Sequence, residues 1–192
     1  MINYPTKRLN PNQHKNITST SNRGMTLEDD LNTTNQVYRD LNKALIYKKP
    51  TPITIVKVDY PARNKARITE AYYKVASTTD YNGIYKGYYI DFEAKETHSR
   101  TSFPLANIHE HQINHMQMVK EHKGIAFIII RFTQYDETYL LFINDLSEFI
   151  KNNTRRSLPY SWIVENAHQI NYHLIRPVDY LSILDKTILK GD

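Results

Sequence analysis

Apolar and polar residues alternate through residues 88–96, YYIDFEAKE. Successive side chains of a strand point to opposite faces. Tyr88, Ile90, Phe92 and Ala94 therefore share an apolar face, and Tyr89, Asp91, Glu93 and Lys95 share a charged one. The pattern predicts a half-buried strand with its charged side in water. Lys86-Gly87, just upstream, suits a two-residue hairpin loop because φ > 0 costs Gly little. In that register residues whose numbers sum to 173 face each other, so Tyr85 meets Tyr88, Asp80 meets Glu93 and Thr78 meets Lys95.

A helix is predicted after Thr26, an N-cap with Asp29 at the reach-back position. Leu27, Leu31, Thr34, Tyr38 and Leu41 recur three or four apart and make its apolar stripe. Residues 44–47 and 53–58 read as strands, separated by KKPTP, where Pro50 and Pro52 forbid a regular central ladder. Residues 59–77 are too long for a tight hairpin connection and read as an insertion. Thr101 and Ser102 are expected to cap a helix with Pro104 in its first turn and Leu105, Ile108, Gln112, Met116 and Val119 on one stripe. Gln112 is then a polar side chain on an apolar face, and a buried amide needs a partner. GIAFIIIRF reads as a fully buried strand and TYLLFIND as its neighbour; Asp145 with Glu148 opens a short helix. SWIVENAHQI and VDYLSILDKTIL read as helical packing or dimer surface. The whole predicts an α/β domain over 24–192, a mixed sheet flanked by helices, behind a mobile polar arm at 1–23.

Length and composition add limits. At 192 residues the chain is one domain's worth. No apolar run reaches the roughly 18 residues of a membrane span, and the polar N-terminus lacks a signal-peptide core. A soluble, cytoplasmic protein without a membrane partner is expected. The absence of cysteine excludes disulfides and thiolate metal sites. The net charge of +5 is unevenly spread: residues 1–27 carry +4, residues 43–74 carry +6, and the rest of the chain sums to −5. Two basic segments on an acidic body point to a polyanion, since phosphate contacts supply most sequence-independent DNA affinity. The insertion interleaves Tyr60, Tyr72 and Tyr73 with Arg63, Lys65, Arg67 and Lys74, a mixture suited to stacking and phosphate contact on unpaired or distorted nucleic acid. With Arg23 of the arm and Lys48 and Lys49, these are the candidate DNA contacts. The competing reading is a surface loop whose tyrosines pack on the body.

The chemistry follows from the hairpin. Directly opposed side chains hold their Cβ atoms about 4.5–5.5 Å apart, and like charges so placed repel. Asp80 opposite Glu93 therefore asks for a cation. With an oxygen of Thr78 beside them, the two carboxylates offer the hard ligands that suit Mg2+, with Mn2+ as a substitute. Lys95, one pleat beyond Glu93, is placed to stabilise charge on a phosphate or to hold the attacking water. His111 and His115, one turn apart and near His109, raise zinc as a weaker alternative, since no HExxH is present. Asp80 followed thirteen positions later by Glu93-x-Lys95 is the motif of the PD-(D/E)XK nucleases.

The surrounding words are more specific. NRGMTLEDDLN, KKPTPITIVKVDYPAR, EAYY, STTDYNGIYKGYYIDFEAKET, TSFPL and HEHQINHM, in this order, resemble the RecU family of Holliday junction resolvases from about Asn22 to Leu141. Thr79 precedes Asp80 where the superfamily motif has Pro, which is how the RecU family itself reads. The resemblance implies a restriction-endonuclease-like core with the 59–77 insertion as a stalk projecting into the junction. It makes Gln112 the next metal-site residue beside Thr78, Asp80 and Glu93, and Glu28 of the first helix a residue bordering the site. It implies Mg2+-dependent nicking of four-way DNA junctions in recombination and repair, a homodimer, and links to RecA and RuvAB. The alternatives are a related nuclease with another DNA-shape preference and a non-catalytic junction binder.

Overall fold

The first helix begins where its capping box closes. The computed structural model describes residues 26–74 and 78–189; the expected arm with Arg23, and residues 75–77, lie outside the described residues. In α1 (Leu27–Asp40) the Thr26 hydroxyl accepts from the Asp29 amide at 3.2 Å, while the Asp29 carboxylate accepts from the Thr26 amide at 3.2 Å. Two contacts from distant strands hold the same turn. Glu96 Oε1 accepts the Leu27 amide at 2.8 Å, and Arg131 meets the buried Asp30 at 2.7 Å.

The strands form a six-stranded mixed sheet in the order β1 (Leu45–Lys48), β4 (Tyr81–Tyr85), β5 (Tyr88–Thr97), β7 (Ile125–Phe132), β8 (Glu137–Phe142), β10 (His168–Ile170), with β2 (Ile53–Asp59) and β3 (Arg67–Tyr73) lying elsewhere. Among the described residues only the β5–β7 pair is parallel; its crossover carries a short strand β6 (Ser102–Pro104), a 3-10 turn (Leu105–Asn107) and α2 (Glu110–Glu121). β6 pairs with β9 (Ser157–Pro159). One face of the sheet is covered by α1 and the C-terminal α5 (Leu181–Thr187), packing Leu27, Leu31 and Tyr38 with Leu181 and Leu184 against Ile90, Phe92 and Phe127. The other lies under α2, α3 (Ile143–Asn152) and α4 (Tyr160–Asn166), with Met116, Leu146 and Ile163 against Ile128 and Ile130. β7, buried at every position, is the shared centre. Such an all-apolar strand is what two covered faces require. The expected α/β class therefore holds, and among the described residues no helix is long and apolar enough to cross a membrane.

The hairpin register is as expected: Tyr85 faces Tyr88 and Asn82 faces Asp91. Lys86 and Gly87 take φ of 49° and 81°, the two positive values that a type I′ loop needs. Several expectations are corrected. Residues 53–58 do not join the main sheet. β2 (Ile53–Asp59) and β3 (Arg67–Tyr73) pair with each other as a separate two-stranded ribbon, interrupted by a bulge between Ile55 and Lys57. The stalk thus starts before residue 59, at the prolines that forbid continuation of β1. It is a true hairpin whose strands reach to Asp59 and Arg67. Thr101 and Ser102 do not cap a helix, because 102–104 are claimed by the β9 pairing, and α2 starts only at Glu110. The expected helix at SWIVENAHQI stops at Asn166, and His168–Ile170 instead extends the sheet edge on β8. The end of TYLLFIND is already the first turn of α3.

Gly83 tests the close approach of β1 to β4. A Cβ there would lie 2.0 Å from the Leu45 carbonyl oxygen and 2.6 Å from the Ile46 Cα, both backbone. Gly83→Ala is therefore expected to lower stability by about 1–3 kcal/mol, the usual range for overpacking, read as a drop in the midpoint of thermal or urea unfolding. A wild-type midpoint would mean that β1 can move aside freely.

Candidate active site

The charged face of β5 is not in water. Asp91 and Glu93 are both 0% exposed, because α2 lies over that face and buries what the alternation alone would leave wet. Burying an ionised carboxylate without partners is very costly, and the two are treated differently. Asp91 is surrounded by donors, Lys49 Nζ at 2.8 Å, Tyr89 OH at 3.0 Å and the Thr79 hydroxyl, while His115 Nε2 lies 3.3 Å away without forming a hydrogen bond to it. Glu93 meets Lys95 Nζ at 2.7 Å from Oε1 and accepts the Asp80 amide at 3.1 Å on Oε2. Oε1 nonetheless has no well-angled hydrogen bond. The Lys95 contact is a close ion pair of poor hydrogen-bond geometry.

Glu93 carries the mark of an unmet positive charge. Burial pushes its carboxyl up to about 7; Lys95 pulls the other way, and the Asp80 carboxylate hydrogen-bonded beside it raises it again. A second acidic group set against a buried carboxyl is what a pair built for a cation looks like. The donor set therefore fits a hard divalent ion held by two carboxylates and completed by water and substrate phosphate. Among the described residues no group of three or more His, Asp or Glu side chains is arranged to hold a metal, so the pair does not belong to an all-protein cage.

Asp80, Glu93 and Lys95 are thus brought together. Thr78 is half-buried, its hydroxyl 3.5 Å from the Thr79 carbonyl. Gln112 is buried, but its Oε1 accepts the His109 amide at 3.0 Å and closes the capping box of α2. This meets the need of its amide for a partner, and no hydrogen bond among the described residues joins Thr78 or Gln112 to the carboxylate pair. Glu28 is exposed and pairs with Lys48 at 2.5 Å. Lys49 departs from its expected role as a DNA contact: its ammonium is drawn inward to Asp91 and to the Thr79 hydroxyl at 3.0 Å. The three helix histidines do not converge, since His109 stacks on His111 while His115 turns to Asp91.

Arg63, Lys65, Arg67 and Lys74 are exposed on the ribbon or at its root. Tyr60, Tyr72 and Tyr73 are 72%, 62% and 84% exposed, so they do not pack on the body. As neighbours in β3, Tyr72 and Tyr73 present to opposite faces of the ribbon. The sequence reading missed Asp91, whose burial depends on α2, and the mooring of α1 by Glu96 and Arg131, which depends on strand order.

Because the raised pKa of Glu93 means that the folded protein binds a proton the unfolded chain releases, metal-free stability falls as pH rises from the ordinary carboxylate range through about 7. Glu93→Gln should remove that fall, and Mg2+ should offset it in the wild type. Unfolding midpoints across pH 4.5 to 8 check this. Parallel pH profiles for wild type and variant would show an ordinary carboxylate.

A family model described as Recombination protein U, RecU, matches residues 22–186. The chain is 59% identical over 169 residues to the Holliday junction resolvase RecU of Oceanobacillus iheyensis, with 86% of each chain covered. It is 49% identical over 197 residues to that of Streptococcus mutans, with 100% of each covered, and 47% identical over 208 residues to that of Lactococcus lactis, with 97% of this chain and 98% of the other covered. Among solved structures, the Holliday junction resolvase Hjc of Archaeoglobus fulgidus superposes with a TM-score of 0.40 at 7% identity, covering 70% of this chain and 90% of that one.

Proposed function

The chain belongs to the RecU family of recombination proteins, and on that premise we propose that it is a Mg2+-dependent endonuclease that resolves four-way DNA junctions by paired nicks. The observation that carries the reading is the Asp80–Glu93 pair with Lys95 beside it, a buried acidic site that lacks a cation of its own strength. Relatives that match over most or all of their length bear the name of junction resolvases, which supports the same substrate here.

Asp80 and Glu93 would hold the ion, with Thr78 and Gln112 as its further ligands, directly or through water. When bound, the ion supplies Lewis-acid activation of water and of the scissile phosphate. The protein's own part is to keep the Glu93 carboxylate from bulk water, with the half-buried Asp80 beside it, and to aim Lys95 at the face where charge develops on the phosphate. The exposed bases of the ribbon hold phosphates, and its tyrosines meet base faces that only opened DNA presents. Resolution takes two symmetric nicks, and one site per chain calls for a homodimer about a two-fold axis. Action in the cytoplasm, in recombination and repair alongside RecA and RuvAB, belongs to the same proposal.

Nicking of a mobile four-way junction with Mg2+, compared with linear duplex, tests the reading; equal cutting of both substrates, or of neither, contradicts it. Asp80→Asn and Glu93→Gln are expected to abolish cleavage while binding stays near wild type. Lys95→Ala should lower turnover by about 10²–10³-fold, in the range for loss of one preorganised donor, with little change in affinity. An effect confined to affinity would make Lys95 an ordinary phosphate contact.

The ribbon gives a separate expectation. Replacing Lys65 and Arg67 by Ala should flatten the log-log salt dependence of binding by about one per contact on every DNA. Tyr72→Ala and Tyr73→Ala should instead reduce preference for the junction. Competition binding of junction against duplex at several salt concentrations separates the two. Full junction preference in the tyrosine variants would exclude shape reading by their rings.

A further inference from the structure

Asp91 lies outside the carboxylate pair, yet it is the more heavily bonded acid of the same strand. Its two oxygens gather Lys49 Nζ, the Thr79 hydroxyl and Tyr89 OH from β1's end, the Asp80 loop and β5 itself. Two of these flank Asp80. Thr79 is its chain neighbour, and Lys49 both reaches the Thr79 hydroxyl with Nζ and donates its own amide to the Asp80 carbonyl at 2.7 Å. The Asp80 amide in turn donates to Glu93. The backbone of Asp80 is therefore clamped on both sides, and the preceding side chain is tied down in a buried polar cluster.

That clamp is needed because Asp80 lies at the root of the ribbon, just before β4, and no ladder pairing covers it. Lys49 also stands at the root, between β1 and Pro50. The cluster thus sits where a lever inserted into the sheet would disturb the acidic pair. Misplacement of an active group by about 1 Å can cost 10²-fold in rate. Groups that orient metal-holding side chains typically matter 10- to 100-fold.

We infer that Asp91, acting through Thr79 and Lys49, is a positioning residue that fixes Asp80 against Glu93 and thereby sets the affinity of the pair for a divalent ion. The inference rests on the reading of Asp80 and Glu93 as the metal-holding pair. It assigns Asp91 no contact with DNA and no part in proton transfer. Lys49 belongs with it as the cation paired with Asp91 at 2.8 Å.

The test is Mn2+ binding to the full chain by calorimetry, alongside junction cleavage. Asp91→Asn keeps the shape but loses the charge that holds Lys49, and Thr79→Val removes one hydroxyl. Both are expected to weaken Mn2+ binding by about 10- to 100-fold and to lower kcat with little change in KM for the junction. Tyr85→Phe is the control for general loosening: it removes a hydroxyl bonded to Asp185 on the other side of the sheet, and it should leave Mn2+ affinity unchanged. Wild-type Mn2+ affinity in Asp91→Asn overturns the inference, as does an equal loss in Tyr85→Phe. If Asp91→Asn fails to fold, Thr79→Val decides alone, and wild-type affinity there is equally fatal. A wild-type protein that binds Mn2+ but does not nick the junction would sink the nuclease reading and leave the comparison of affinities standing.

Discussion

Two carboxylates without access to water, Asp91 and Glu93, stand two residues apart on one strand, and much of the molecule is arranged around neutralising them. A buried charge persists only with opposite charge and hydrogen bonds around it. Asp91 obtains these within the chain, from Lys49, Thr79 and Tyr89. Glu93 does not: Lys95 meets one oxygen at a poor angle, and Asp80 adds a second negative group. The difference separates a closed polar cluster from a site that is open to a cation. It also explains why α2 must cover this face, since the same pair in water would keep ordinary carboxylate acidity and little pull on metal.

The sheet delivers both groups to one place. β5 has a parallel neighbour on one side and a hairpin partner on the other, so its charged face is overlaid by α2 while Asp80 is brought to Glu93 by the β4 register. The ribbon, inserted between β1 and β4, leaves the sheet within two residues of Lys49 and returns just before Asp80. If the ribbon holds DNA as proposed, that DNA is tethered near the acidic pair along the chain.

Much of this was legible in the chain because it is local. The capping box at Thr26 and Asp29, the Lys86-Gly87 loop and hence the pairing of Asp80 with Glu93, and the fully apolar β7 all follow from short-range spacing. What escaped depends on tertiary placement. Alternation along β5 cannot show that a helix will cover the charged side, so Asp91 read as a solvated residue and Lys49 as a DNA contact. Ser102–Pro104 and His168–Ile170 are too short for periodicity to register, and each is a strand only because a partner stands opposite. Exposed apolar residues in the ribbon, such as Ile55 at 50% and Ile68 at 48%, look like core strand positions to any reading by pattern.

The most direct test of the central claim, that the Asp80–Glu93 pair is built for a cation it does not itself provide, is the titration of the Glu93 side-chain carboxyl by carbon-detected NMR with and without Mg2+. The expected result is a midpoint near 7 in the metal-free protein and a fall to below the ordinary carboxylate range once Mg2+ is bound, because the ion favours the charged form. An ordinary midpoint in both conditions would contradict it: the strand would then carry a solvated carboxylate, and the pair would have no special claim on a metal.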